Sequence, residues 1–251
     1  NNHADTIRNR TNLAVKSLYH ATEVLGRKIK GVKMDVKTVV PLSRGLGSSA
    51  TCITAGVAAA FMLAGMTPVK SDIFEIAAEI EGHADNVAPN IFGGATLSYR
   101  KGELYKCVQF NVFEKYKFVA LIPDFKLSTQ KAREVLPLHY SREDVVFNMS
   151  RVGMLMSALQ MGNNDLQEEA MDDRLHQPYR IPLIKGYEEI SRIAKEAGAI
   201  GTYLSGAGPT IMAVVDSDET YRKISYGVRT AGMNWQTELL TVNYEGLECY
   251  K

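Results

Sequence analysis

Between residues 41 and 61 the chain reads PLSRGLGSSATCITAGVAAAF, a loop with two glycines and three serines joined directly to an almost wholly apolar segment. Glycines at 45 and 47 let backbone N–H groups approach an anion, and the start of a buried helix adds partial positive charge at the same place. Polyphosphate is the chemistry that such a loop serves. Taken alone, the same residues also suit a core helix capped by Ser48 or Ser49 after a flexible turn. Gly45-Leu46-Gly47-Ser48-Ser49-Ala50 fits G-x-G-x-x-A, the dinucleotide fingerprint. That fingerprint needs a second parallel strand with an acid at its end about 20 residues on. Here the candidate acids, Asp72 and Glu75, sit inside a second helical pattern. A Walker-type loop fails as well, because no Lys-Ser or Lys-Thr follows the glycines.

Two more stretches carry reactive residue types. EGHADNVAPNIFGG, at 81–94, sets His83, Asp85 and Asn86 just past a helix end, before Pro89 and a glycine pair that start a strand. LSGAGPTIMAVV, at 204–215, is a second glycine turn between strands. Singly, His83 reads as a hydrogen-bonded structural residue, Asp85 as a turn former and 205–209 as a tight turn.

The elements that must position these residues follow from periodicity. Ala14, Leu18, Ala21 and Leu25 recur at helical spacing and stop at Gly26. In VKMDVKTVV, at 32–40, Val32, Met34, Val36, Thr38 and Val40 alternate with charged residues, which predicts a strand with one wet face. A helix over 48–64 is apolar on every side and therefore buried. SDIFEIAAEIEGH offers Ser71 as N-cap, puts Ile73, Ile76, Ala77 and Ile80 on one face and Glu75, Ala78 and Glu79 elsewhere, and ends at Gly82. A hairpin over 93–110 turns at Arg100-Lys101-Gly102, and the first half of the chain closes near Phe110. Beyond it come a buried strand in KFVALIPD, a helix over 141–161 with Val145, Met149, Val152 and Met156 on one stripe, and a helix over 183–197. The chain then alternates strand (199–204), turn, strand (211–215), helix (218–231) and strand (235–242), a split β-α-β order with helices on one side of an antiparallel sheet.

Composition narrows the partners. The chain has 251 residues, 45% of them hydrophobic, enough for a sizeable core. With 29 basic and 28 acidic residues, a net charge of +1 gives no positive excess for a nucleic acid backbone. Cys52, Cys107 and Cys249 are odd in number and lack a CxxC pair, which points to a reducing cytoplasm rather than disulfides or structural zinc. The longest apolar stretch, 52–66, falls short of the roughly 18 to 20 residues that span a bilayer, and no secretory signal is visible.

Together, P-x-x-x-G-L-G-S-S-A at 41–50, E-G-H-x-D-N-V-A-P with its following G-G at 81–94, and S-G-A-G-P at 205–209 resemble the pattern set of the GHMP-superfamily small-molecule kinases. The middle motif is similar to that of the homoserine kinases in that superfamily, not to the lysine and aspartate pairing of mevalonate-type members. The resemblance runs from Asn12 over nearly the whole chain. It implies an α+β fold of two domains: a two-layer N-terminal α/β domain of ribosomal-protein-like type at 1–110, lacking its first strands, and a ferredoxin-like C-terminal domain at 111–251. It also implies phosphoryl transfer from ATP to L-homoserine with Mg2+, in threonine biosynthesis, and leaves a homodimer open. Another small alcohol, such as a mevalonate-pathway or sugar substrate, and a nucleotide-binding relative without catalysis are the alternatives.

Carried over position by position, the resemblance assigns the ATP phosphates to Pro41, Leu42, Ser43, Arg44, Gly45, Leu46, Gly47, Ser48, Ser49, Ala50 and Thr51, and adenine to Asn12. It assigns magnesium to Ser49 and Glu75, hard oxygen donors, and the amino-acid substrate to His83, Asp85, Asn86, Thr129, Arg133, Arg180, Ser205 and Gly206. A carboxylate suits the forks of Arg133 and Arg180, and an ammonium suits Asp85. Asn86 and Arg133 are implied to orient and to stabilise charge, with Asp85 or His83 as fallback proton acceptor and no essential base. Ala207 stands where many relatives have Ser, which leaves the turn's backbone donors intact. Such kinases open with S-A-N-L-G-x-G-F-D, which nothing here matches, so a further segment upstream is expected.

Overall fold

The computed structural model describes residues 12–250, and these divide into two units. One comprises 12–41, 47–110 and 243–250; the other comprises 42–46 and 111–242. The chain changes unit after Phe110, and two short segments lie apart from their sequence neighbours: 42–46 go to the second unit and the C-terminal residues from 243 go to the first.

In the first unit, α1 (Leu13–Val24) begins at Asn12, whose Oδ1 accepts from the Ala14 N–H at 2.9 Å. Ala14, Leu18 and Ala21 are fully buried on its inner face. Next, α2 (Ser48–Leu63) buries Ile53, Val57, Ala60 and Phe61, as a helix apolar on nearly every side must. The two helices touch at Gly56, where a Cβ would lie 2.2 Å from the Ala14 carbonyl oxygen. Helix α3 (Lys70–Glu81) presents Ile73, Phe74, Ile76, Ala77 and Ala78 to the same core and stops at Gly82 in the left-handed region, φ 82°. Its N-cap is Val69, so Ser71 lies inside the first turn, and Ala78 faces inward with the isoleucines. A short α4 (Val87–Phe92) and the hairpin of β1 (Ala95–Lys101) and β2 (Leu104–Phe110) follow, with Gly102 and Glu103 as the turn. The chain end returns here: Leu247 donates its N–H to the Ile91 carbonyl, and Leu247 and Cys249 pack on the core.

The strand expected over 32–40 does not form. Val32 and Met34 do pack on the core, in keeping with the alternation, but Val36 is 43% exposed and no strand pairs with this segment among the described residues. Period two sets which side chains turn inward; a ladder also needs a neighbour.

The second unit is built on a four-stranded antiparallel sheet, β3 (Lys117–Pro123), β4 (Gly201–Leu204), β5 (Ile211–Val215) and β6 (Trp235–Leu240), in the order β4-β5-β3-β6. That is the ferredoxin-like arrangement of two split β-α-β units. Helices α9 (Tyr187–Glu196) and α10 (Asp218–Thr230) cover one face, where Ile190, Ile193, Ile224 and Val228 meet Val119, Leu121, Ala213 and Val215. On the other, Ala120, Ile122 and Met212 meet Leu46. Between β3 and β4 run α5 (Thr129–Glu134), α6 (Arg142–Met161), α7 (Asn164–Ala170), α8 (Gln177–Arg180) and a 3-10 turn, Ile181–Leu183. The predicted stripe of α6 is not core: Val145, Met149 and Val152 are 37%, 70% and 50% exposed, and only Ala158 of this helix is fully buried. No helix among the described residues is long and apolar enough to cross a membrane.

Glycines test this packing in opposite directions. Gly56→Ala should destabilise the fold by about 1–3 kcal/mol, because a backbone carbonyl blocks the added methyl. Gly153→Ala, in α6 with nothing within 4 Å of the new atom, should stabilise it by about 0.5–1 kcal/mol. Denaturant melts of both variants check the pair.

Candidate active site

In the first unit the glycine loop ends at Gly47, the N-cap of α2, with φ 71° and no side chain to cap the helix. The first-turn amides of Ser48, Ser49 and Ala50 therefore have no side-chain cap, which excludes the reading of 48 and 49 as simple capping serines. Ser49 instead donates its hydroxyl to Glu81 Oε2 at 2.8 Å. Glu81 is the last residue of α3, with its side chain 12% exposed, and its Oε1 lies 4.0 Å from His83 Nε2. His83 Nδ1 lies 2.6 Å from Asp85 Oδ1, and that oxygen also accepts the Asn86 N–H at 3.0 Å. A Cβ on Gly47 would come 3.5 Å from Asn86 Oδ1, so the HADN stretch lies beside the start of α2.

Three supports hold this array. Tyr105 of the hairpin donates its hydroxyl to the Gly82 carbonyl, fixing the end of α3. Ser98 donates to the Ala84 carbonyl. Asn90 of α4 donates to Thr51 Oγ1, and the Thr51 hydroxyl in turn donates to the Gly47 carbonyl, so Thr51 acts inside α2.

The structure does not bring the expected metal pair, Ser49 and Glu75, together. Glu75 is exposed on α3, a turn and two-thirds before Glu81, about 9 Å along the axis and on another face. Ser49 meets Glu81, not Glu75. The signal was present in the sequence as E-G-H, the acid closest to the histidine. Ser49 Oγ and the Glu81 carboxylate are hard oxygen donors, and no group of three His, Cys, Asp or Glu side chains surrounds a metal position among the described residues. Such a sparse donor set suits magnesium, which keeps waters and takes its remaining ligands from phosphate.

In the second unit, residues 43–45 are stitched to the sheet and to the 205–209 turn. The Ser43 carbonyl accepts from Leu127, and the Arg44 carbonyl accepts from Thr210. The Ser205 hydroxyl donates to the Gly45 carbonyl at 2.7 Å. A Cβ on Gly45 would lie 2.3 Å from the Ser205 carbonyl oxygen, so only glycine fits. The Arg44 guanidinium donates to the Pro123 and Asp124 carbonyls at 3.0 and 2.7 Å. Arg44 and Ser205, assigned above to phosphate and substrate, thus use their side chains to hold the loop.

Arg180, on α8, donates from Nε to the Ala132 carbonyl and from Nη1 to the Gly206 carbonyl, both at 3.1 Å. Burial and the neighbouring Arg133 guanidinium pull its pKa down, against Asp173 and Tyr140. Two like charges gathered beside the Ser205 turn make a place for an anion. Arg133 and Thr129 lie at the two ends of α5, both exposed, with Ser128 capping that helix.

A residue unassigned by sequence reading, His176, stands one helical turn before Arg180, with Nδ1 3.4 Å from Arg180 Nη1. The H-x-x-x-R spacing of HQPYR was the available signal. Asp173, its side chain 7% exposed, lies 3.7 Å from His176 Nε2. Burial raises the Asp173 carboxyl, but N–H groups of Gln177, Asn148, His176 and Leu175 outweigh it and hold the group below its ordinary 3.8.

Comparison with known proteins fits this geometry. The model of the GHMP kinases N terminal domain matches residues 12–94, and that of the GHMP kinases C terminal domain matches 155–232. A homoserine kinase of Clostridium acetobutylicum is 44% identical over 214 residues, 84% of this chain and 72% of the relative. Another, of Clostridium kluyveri, is 40% identical over 243 residues, 96% of this chain and 81% of the relative. The crystal structure of homoserine kinase from Cytophaga hutchinsonii superposes with a TM-score of 0.84 at 30% identity, over 94% of this chain and 77% of that one. The chain belongs to the homoserine kinase family of the GHMP kinases.

Because Asp173 is depressed in the folded state, its stabilisation is complete above the ordinary carboxylate value and is lost as pH falls through the lowered one. Asp173→Asn should therefore melt below the wild type near neutral pH, by about 1–3 kcal/mol. The gap should close below pH 3.8, which melts at several pH values will read.

Proposed function

We propose that the chain transfers the γ-phosphoryl group of ATP to the hydroxyl of L-homoserine, giving ADP and O-phospho-L-homoserine on the route to threonine. One observation carries the reading: the uncapped amino end of α2, with Ser49 and Glu81 paired beside it and the HADN residues next along. The hydroxyl oxygen bonds to the γ-phosphorus while the bond from phosphorus to the β–γ bridging oxygen breaks, and ADP leaves with that electron pair. The hydroxyl proton passes to water, with Asp85 or His83 as the fallback acceptor.

Phosphoryl transfer has a loose transition state, so positioning and charge neutralisation carry most of the acceleration. The amides of Gly47, Ser48, Ser49 and Ala50 bind phosphate oxygens. Asn86 orients the acceptor hydroxyl, Asp85 accepts from the substrate ammonium, and Thr129 adds a hydroxyl. Arg133 and Arg180 take the carboxylate. Asn12 keeps its amide N–H groups for adenine while its oxygen caps α1. Ser49 and Glu81 would hold magnesium, which when bound supplies countercharge to the phosphates. The three cysteines are free thiols, in keeping with a reducing cytoplasm.

A neutral sugar alcohol would leave Arg133 and Arg180 without an anion, which weighs against that alternative. A binding protein without catalysis would be indifferent to loss of Glu81. An ADP-release assay separates these readings. Glu81→Ala should lower turnover about 100-fold while Glu75→Ala stays near wild type, and the reverse order would remove the metal assignment. Arg180→Ala should raise KM for homoserine by about 10-fold or more and leave KM for ATP in place. An equal change in both constants would refute its substrate role.

A further inference from the structure

We infer that His176 is a positioning residue for Arg180: its Nδ1 accepts one guanidinium N–H and so decides which nitrogen of the fork is left for the substrate carboxylate. The inference rests on the proposed role of Arg180 in binding homoserine.

The donor inventory of Arg180 leads to it. A guanidinium has five N–H groups and no acceptor. The Nε–H goes to the Ala132 carbonyl, and Nη1 has the Gly206 carbonyl at 3.1 Å and His176 Nδ1 at 3.4 Å. That accounts for three. Both protons of Nη2 are left, and a carboxylate takes them best when the plane of the fork is fixed. Without His176 the second Nη1 proton has no acceptor of its own, so the fork can tilt about its two remaining carbonyl bonds and offer either terminal nitrogen.

The backbone that carries the imidazole is itself fixed. Asp173 Oδ2 accepts the His176 and Gln177 backbone N–H groups, and its Oδ1 accepts from Leu175 and from the Asn148 side chain. This fixed carboxylate lies 3.7 Å from His176 Nε2, which favours the tautomer with its proton on Nε2 and leaves Nδ1 as the acceptor. Gln177 secures the same turn to the sheet, donating to the Met171 carbonyl and accepting from the Leu204 N–H. The turn that carries His176 is thus anchored to the start of α8 and to the strand that leads into the Ser205 turn.

Charge supports the geometry. Burial depresses the His176 pKa, with Asp173 opposing and Arg180 assisting, so the ring is neutral and can accept at neutral pH. The charged groups around the pair are Asp173 and Arg180 themselves, Arg133 and Tyr140 beside Arg180, and the Arg174–Asp144 ion pair next to Asp173. A proton added to Nδ1 would remove the acceptor and set a cation against the guanidinium.

Two variants separate positioning from a structural role. His176→Asn keeps an acceptor near the place of Nδ1 and cannot titrate; His176→Leu has none. KM for homoserine and for ATP is measured at saturating co-substrate from about pH 8 down to about pH 5.5, with Arg180→Lys and thermal melts alongside. His176→Leu should raise KM for homoserine about 10-fold at all pH values, with kcat and KM for ATP within about twofold. His176→Asn should match the wild type at about pH 8, and the wild type should lose homoserine affinity relative to it as pH falls. Wild-type KM in His176→Leu, or no divergence between the wild type and His176→Asn on acidification, would overturn the inference while a raised KM in Arg180→Lys leaves the substrate reading standing. An unchanged KM for homoserine in Arg180→Lys would bring down both.

Discussion

The amino end of α2 is where the rest of the structure finds its purpose. A helix apolar on almost all sides must be buried, and a buried helix that starts without a cap keeps polar N–H groups in need of partners. Gly47 supplies no side chain, and its left-handed backbone turns the chain into the helix without covering the first turn. Ser48 and Ser49 leave it uncovered too, since the Ser49 hydroxyl goes to Glu81. An anion satisfies these amides and gains the helix's partial charge as well.

Around this constraint each unit does a separate job. In the first, the end of α3, the HADN stretch and α4 form a short polar chain, Ser49 to Glu81 to His83 to Asp85, supported from the hairpin by Tyr105 and Ser98. In the second, the start of the same loop is tied down by Arg44, Ser205 and the close fit of Gly45 against the turn. Side chains that sequence comparison would hand to ligands here act on the backbone. Within the second unit, Arg133 lies close enough to Arg180 for the two like charges to act on each other.

Much of this was legible in the sequence where one physical rule dominates. The loop and the start of α2 could be placed because glycine chemistry and an all-apolar helix leave few alternatives, and β5 because its five residues are uniformly apolar. Misreadings came where two rules compete. Pro89 and the glycine pair read as leading into a strand, yet Pro89 falls in the first turn of α4, where a missing N–H costs nothing. The stripe on α6 has the right period for a core, but periodicity does not say what lies opposite. The alternation at 32–40 found the inward residues and could not find a pairing strand. Glu75 and Glu81 share one helix, and the contact with Ser49 picks out the acid of the E-G-H stretch. His176 is marked in the sequence only by the H-x-x-x-R spacing; its meaning comes from Nδ1 lying 3.4 Å from the Arg180 guanidinium.

A titration of 15N-labelled protein with a non-hydrolysable ATP analogue tests the account most directly. The amide resonances of Gly47, Ser48, Ser49 and Ala50 should move furthest, with those of α9 and α10 unmoved. If those four amides stay still while the analogue binds and shifts another surface, the open helix end does not hold the triphosphate and the account fails.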